Sequence, residues 1–276
     1  MKLQKIYSAL ALSLPLYTAF AGTMGPVAPP ALLGYEVLGG GGWANIDISD
    51  AYIHVTSDER DTLANNSDDW NSGIGQLGIG MVVPFMQNYS VFNTARVQLN
   101  GYYTSEDLHG PIYRFGDPSF SDYRYKMSIK STRLIIDGLL DVFSISNFSL
   151  YAKGGIGAAW NRVNYREAEA LNNGIRAVGN GVDFNKAVGL QNFGGCSSNT
   201  LNFHKNNSTK FAVEGGGGIR YDFNERIAVS AEYLYAHIGK ISTGSGAGSA
   251  CISSVSPINF KLNVQSAILA LHYTFA

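Results

Sequence analysis

Six charged residues stand inside otherwise apolar runs: Glu36, Arg96, Lys153, Glu214, Arg220 and Glu232. Carboxylates of this kind could work as general acid and base, or cations and anions could hold one another as buried ion pairs. What surrounds them decides between the two. The run FAVEGGGGIRYDF, Phe211 to Phe223, is the clearest case. As a helix it would lose roughly 1 kcal/mol for each of its four glycines. As a strand it sorts by parity. Phe211, Val213, Gly215, Gly217, Ile219, Tyr221 and Phe223 fall on one face; Ala212, Glu214, Gly216, Gly218, Arg220 and Asp222 fall on the other. One face is apolar and the other polar, so the charges point into a separate compartment.

Other reactive patterns are weaker. Gly73 to Gly78 reads G-x-G-x-x-G, but a dinucleotide site needs a helix to follow, and Ile79 to Phe85 continues as strand. The five histidines are scattered without close ligand spacing, so no metal site is expected. His54 and Ser57 supply residue types used in lipid-A chemistry, yet no catalytic motif surrounds them and G-x-S-x-G is absent. The six interior charges are therefore expected to form an ionic plug, with no catalytic residue and no cofactor. Asp58, Glu59, Asp61, Asp68 and Asp69 make an acidic surface loop.

Lys2 and Lys5 precede an apolar stretch from Ile6 to Phe20, and Ala19-Phe20-Ala21 is a small-x-small site. This is the pattern of a cleaved secretory signal over 1–21, leaving 22–276 as the mature domain. A membrane anchor is disfavoured because the stretch is short and broken by Pro15. Removing two lysines takes 20 cations to 18 against 21 acids, a mature charge of 18 − 21 = −3. That excludes a basic nucleic-acid footprint. Charged residues are only 15% of the chain, against about 25% in soluble domains. In an exported chain Cys196 and Cys251 are expected to pair, closing a loop of about 56 residues worth roughly 4 kcal/mol.

Period-2 alternation predicts eight strands: 35–45, 74–85, 91–103, 123–140, 148–163, 209–223, 226–238 and 258–275. The joins alternate strictly. Those at 86–90, 141–147 and 224–225 are short; those at 46–73, 104–122, 164–208 and 239–257 are long. An up-and-down antiparallel sheet would gather the four long loops at one end. Unpaired backbone groups are too costly in hydrocarbon for an open sheet, so spanning strands must close. The fold predicted is all-β: a closed antiparallel up-and-down eight-stranded transmembrane β-barrel, apolar parity toward lipid and polar parity inside. Aromatic residues near strand ends predict interfacial girdles: Phe85, Phe148, Tyr221 and Phe223 on the turn side, Trp43, Tyr123, Trp160, Tyr233 and Tyr235 toward the loops. Two strands fit less well. Lys130 and Arg133 have opposite parities, from a bulge or from one charge lying above the membrane. Phe260, Leu262 and Val264 are out of phase with Leu269, Leu271, Tyr273 and Phe275, as a bulge near Gln265-Ser266 would produce.

On this pattern the mature chain resembles the small eight-stranded outer-membrane barrels of the OmpA, OmpX and opacity-protein type. Its ending, LALHYTFA, is similar to the assembly signal of such barrels, with Leu271, Tyr273 and Phe275 alternating, but it adds Ala276. The resemblance implies a Gram-negative outer-membrane location and recognition by the barrel-assembly machinery. The expected partners are membrane lipid and lipopolysaccharide, with a host or cell-surface ligand meeting the loops. A structural or surface-interaction role is expected rather than an enzymatic one. A small porin is the alternative, and a lipid-A-modifying enzyme a more distant one.

Overall fold

The computed structural model describes residues 34–54, 60–64, 72–84, 94–119, 121, 123–169, 201–247 and 255–275. Eight long strands form a wall: β1 (Gly34–His54), β2 (Ser72–Pro84), β3 (Thr94–Tyr113), β4 (Tyr123–Ile145), β5 (Phe148–Glu169), β6 (Asn206–Asp222), β7 (Ile227–Ser242) and β8 (Asn259–Phe275). Each pairs antiparallel with its neighbours in sequence. β8 returns to β1, placing Tyr35 opposite Phe275. The ring is closed, which removes the exposed sheet edge that an open sheet would present. Three short strands, Arg60–Leu63, Asn202–Phe203 and Gly246–Ala247, extend the wall at the loop end.

Tight turns close the other end. Between β6 and β7 the Asn224 side chain accepts hydrogen bonds from the backbone N–H groups of Arg226 and Ile227, at 2.9 and 2.8 Å. Asparagine caps a turn of this kind because its short amide reaches its own backbone two or three residues on. Between β4 and β5, Ser146 takes a positive φ of 52°.

The outer face carries a belt of exposed apolar side chains, among them Tyr35, Leu77, Ile79, Ile136, Phe211 and Leu269. A surface this apolar is a lipid-contacting one, and a barrel whose backbone groups pair around the ring can present it to hydrocarbon. The belt ends toward the loops at Trp43, Tyr103, Trp160 and Tyr235, all exposed. Indole and phenol rings suit that level, with an apolar body and a polar edge.

The strands run on past this level, a correction to the expected boundaries. β1 continues from Asn45 to His54 and β3 from Tyr103 to Tyr113, so parts of the segments read as long loops are barrel wall. There the chemistry of the two faces exchanges. Outward positions become polar (Asn45, Asp47, Lys130, Arg162, Asn263), while inward ones become apolar (Ile46, Met127, Ile129, Val163, Phe260, Leu262). The inward residues form one hydrophobic cluster, with Tyr125 stacked on Tyr165 at 6.0 Å and Phe203 edge-on to Tyr165 at 5.1 Å.

This exchange explains both misfits. No bulge lies at Gln265-Ser266, because the pairing of β8 with β1 and β7 runs unbroken through those residues. Phe260, Leu262 and Val264 simply point inward above the belt, where the interior is apolar. Arg133 is buried inside, whereas Lys130 is exposed outside, two residue pairs above Thr132 and Trp160. Tyr123 is also corrected: only 8% exposed, it belongs to the interior hydrophobic cluster and not to an outer girdle.

Candidate functional site

Within the belt the interior is polar and filled. All eight strands contribute to it. Glu36 on β1 lies at one node: Gln98 Nε2 on β3 donates to it at 2.5 Å and Arg220 Nη1 on β6 at 3.1 Å. His272 on β8 approaches the same carboxylate at 3.6 Å through Nδ1, while its Nε2 lies 2.8 Å from Ser230 Oγ on β7. Arg220 also reaches Asp222 at the turn side, at 2.8 Å.

Lys153 on β5 lies at a second node. Its ammonium donates to Glu232 Oε2 on β7 and to the Tyr102 hydroxyl on β3, each at 3.0 Å. Tyr102 in turn donates to Glu214 Oε1 on β6 at 2.9 Å, and Tyr151 donates to Glu232 Oε1 at 2.8 Å. Asp137 on β4 accepts from Asn100 Nδ2 at 2.7 Å, and Gln76 on β2 donates to the Asn100 side-chain carbonyl at 3.3 Å. Arg96 pairs with Asp141, and Arg133 lies over the Tyr102 ring at 4.9 Å. Inside stand the acids Glu36, Asp137, Asp141, Glu214 and Glu232, against Arg96, Arg133, Lys153, Arg220 and the imidazole of His272. Burying charge is tolerable only when it is paired, and this set is near balance.

Inward glycines make room for the network. A Cβ at Gly155 would collide with Asp137 Oδ1 and lie 2.8 Å from the Ile136 carbonyl oxygen. One at Gly78 would collide with Asn100 Oδ1. The glycines inside apolar runs thus answer to the polar residues opposite them.

The structure buries all six charges singled out in the sequence and brings them into this one network. Sequence reasoning missed Asp137, Asp141 and His272 and left Arg133 unassigned. Parity was the available signal: Arg133, Asp137 and Asp141 share the inward register of β4 with Ile129 and Ile135. Leu271, Tyr273 and Phe275 are exposed on the outer face at the end of β8. Trp43, Phe148, Trp160, Phe223, Tyr233 and Tyr235 are exposed on the belt, and Tyr221 packs between Phe148 and Phe223 at 4.7 and 4.9 Å. Phe85, Cys196, Cys251, Ser57 and the segment 1–21 lie outside the described residues. Gly73 to Gly78 run within β2, and the strand continues after them to Pro84. Among the described residues no cluster of three metal-ligating side chains occurs.

Above the belt, two acids respond to their surroundings in opposite ways. Asp50 is exposed and held below its ordinary value by Lys261, whose ammonium lies 2.8 Å away. Glu167 has its carboxyl pushed up to about 8, chiefly by burial, with the charge of Asp61 adding to the effect.

No protein-family model and no curated protein matches the chain. Among solved structures it is similar to Neisserial surface protein A, at 12% identity over 87% of this chain and 97% of that one, with a TM-score of 0.38. It is also similar to Ail, the attachment invasion locus protein of Yersinia pestis, at 11% identity over 88% and 99%, TM-score 0.34. A major outer membrane protein from Thermus thermophilus matches at 10% identity over 89% and 100%, TM-score 0.42. At such distances the likeness assigns no role to this chain.

Proposed function

We propose that this chain is an outer-membrane barrel that stays closed and acts through its surface-facing end, in adhesion or envelope integrity, rather than as a pore or an enzyme. One observation carries the reading: the interior is occupied at two successive levels, by the ion-pair network within the belt and by the hydrophobic cluster above it. An eight-stranded barrel is just wide enough for side chains to fill. A solute would have to break the first level and then cross the second. The role therefore falls to the loop end, where the long joins emerge and would meet lipopolysaccharide, host molecules or other cells. The secretory signal pattern at 1–21 supports export, and the alternating Leu271, Tyr273 and Phe275 on β8 support assembly into that membrane.

Shortening the join between β5 and β6 in cells that display the protein tests the role. Reduced adhesion or serum resistance, with the barrel still inserted, is the expected result. Unchanged adhesion, serum resistance and envelope integrity contradict it. Planar-bilayer recording of the refolded chain separates the alternative: steady currents of porin size would overturn the closed reading.

A further inference from the structure

Lys130 on β4 stands directly opposite Arg162 on β5, and both side chains are exposed on the outer wall. Directly opposed residues hold their Cβ atoms roughly 4.5–5.5 Å apart, and like charges so placed repel. Among the described residues neither makes an ion pair. Asp107, the nearby acid on β3, is bound to Lys126 at 2.9 Å and feels the charge of Lys130 without pairing with it. The next strand places Asn207 opposite Arg162, and the next outward-facing row below is Thr132, Trp160 and Thr209. Lys130, Arg162, Trp160, Asn207 and Thr209 border one depression of about 290 Å³.

Its height is informative. Trp160 closes the apolar belt on this side, so Lys130 and Arg162 occupy the first row beyond hydrocarbon, the depth of lipid headgroups. The opposite sector is different at the same height. Tyr233 bonds Gln265 at 3.0 Å, His237 lies 2.7 Å from Asn263, and Lys261 is neutralised by Asp50. Lys240, directly opposite Lys261, has the charge of Asp50 beside it, whereas neither Lys130 nor Arg162 has an acid bound to it.

We propose that Lys130 and Arg162 hold the phosphate of a surface-leaflet lipid headgroup, its acyl chains lying along the belt below. A phosphate between the two would turn their repulsion into two charge-assisted contacts, with the guanidinium able to bind two oxygens at once. The Asn207 amide and the Thr209 hydroxyl would supply neutral donors beside it. This rests on the reading that the belt lies in the outer membrane with the loop end outward.

The test uses the full barrel in detergent with added bisphosphorylated lipid A, followed by native mass spectrometry. Wild type should retain the lipid at least about tenfold better than the K130Q/R162Q variant, since two hydrogen bonds to a charged group are lost. Lys261→Gln should retain it like wild type, and Lys130→Arg should preserve most of the retention. Equal retention by wild type and K130Q/R162Q would overturn the proposal, as would equal retention of phosphate-free lipid A. Displacement by inorganic phosphate at modest excess would overturn the lipid assignment in favour of a free anion. Gel mobility before and after boiling verifies that each variant is folded. A chain that remains in water without detergent would overturn the membrane reading as well; a folded barrel without discrimination overturns this inference alone.

Discussion

Val264 is fully buried inside the barrel, and Leu269, five residues along the same unbroken stretch of β8, is 57% exposed outside it. Both are aliphatic, and the strand does not change direction between them. What changes is the medium on each side. β5 has 22 residues, which extend roughly 70 Å at about 3.3 Å per residue and rise roughly 55 Å at a tilt near 40°. Hydrocarbon is only about 30 Å thick. The upper wall therefore stands in water and takes the inside-out pattern of a soluble barrel, while the lower wall has the reverse pattern.

The pairing of Lys153 with Glu232 should dominate the stability of the lower interior. Lys153→Met leaves Glu232 buried without its cation, which costs about 3–5 kcal/mol. Adding Glu232→Gln should recover part of the loss. Urea midpoints of refolding in micelles measure both; a single variant within about 1 kcal/mol of wild type would contradict the network.

Gly155→Ala should destabilise the barrel by about 1–3 kcal/mol, because its methyl would meet Asp137 and the β4 backbone. Gly75→Ala is the control: its Cβ would meet nothing within 4 Å. Equal urea midpoints for the two variants would show that inward glycines are not there to admit the polar side chains.

Glu167 gives the upper interior a pH dependence. Its carboxyl is at 4.5 when free and about 8 in the fold, raised by burial. Below 4.5 it is protonated whether the chain is folded or not; above about 8 it is ionised in both, and the buried anion disfavours the fold. Stability should thus decline as pH rises through that window. Glu167→Gln should flatten this decline in urea midpoints compared between mildly acidic and mildly alkaline buffer on either side of that window. An identical decline in wild type and variant would contradict the assignment.

Much of this was legible in residue order. All eight strands, their antiparallel succession and the inward sense of Glu36, Glu214 and Arg220 follow from parity and from the alternation of long and short joins. The strand ends were not legible, because the pattern was read with one polarity throughout. Under that rule Ile129 and Phe260 look out of phase, and Tyr123 looks like a girdle residue; each is an inward residue of the upper level. His272 was hidden for a different reason. Its role depends on Glu36 and Ser230, partners from β1 and β7 that only ring closure brings to it. The opposition of Lys130 and Arg162 likewise depends on the register of β4 against β5, which composition does not specify.

The exchange of media along one strand is open to direct measurement. Spin labels placed singly at Lys261, Asn263, Gln265, Leu269, Leu271 and Tyr273 of the barrel in bilayers would report collisions with oxygen and with a water-soluble nickel chelate. High chelate contact at the first three and high oxygen contact at the last three is the expected result, and further labels at Phe260 and Val264 should be sheltered from both. Oxygen contact that continues undiminished from Tyr273 up to Lys261, or a label at Val264 that collides freely with the chelate, would contradict it.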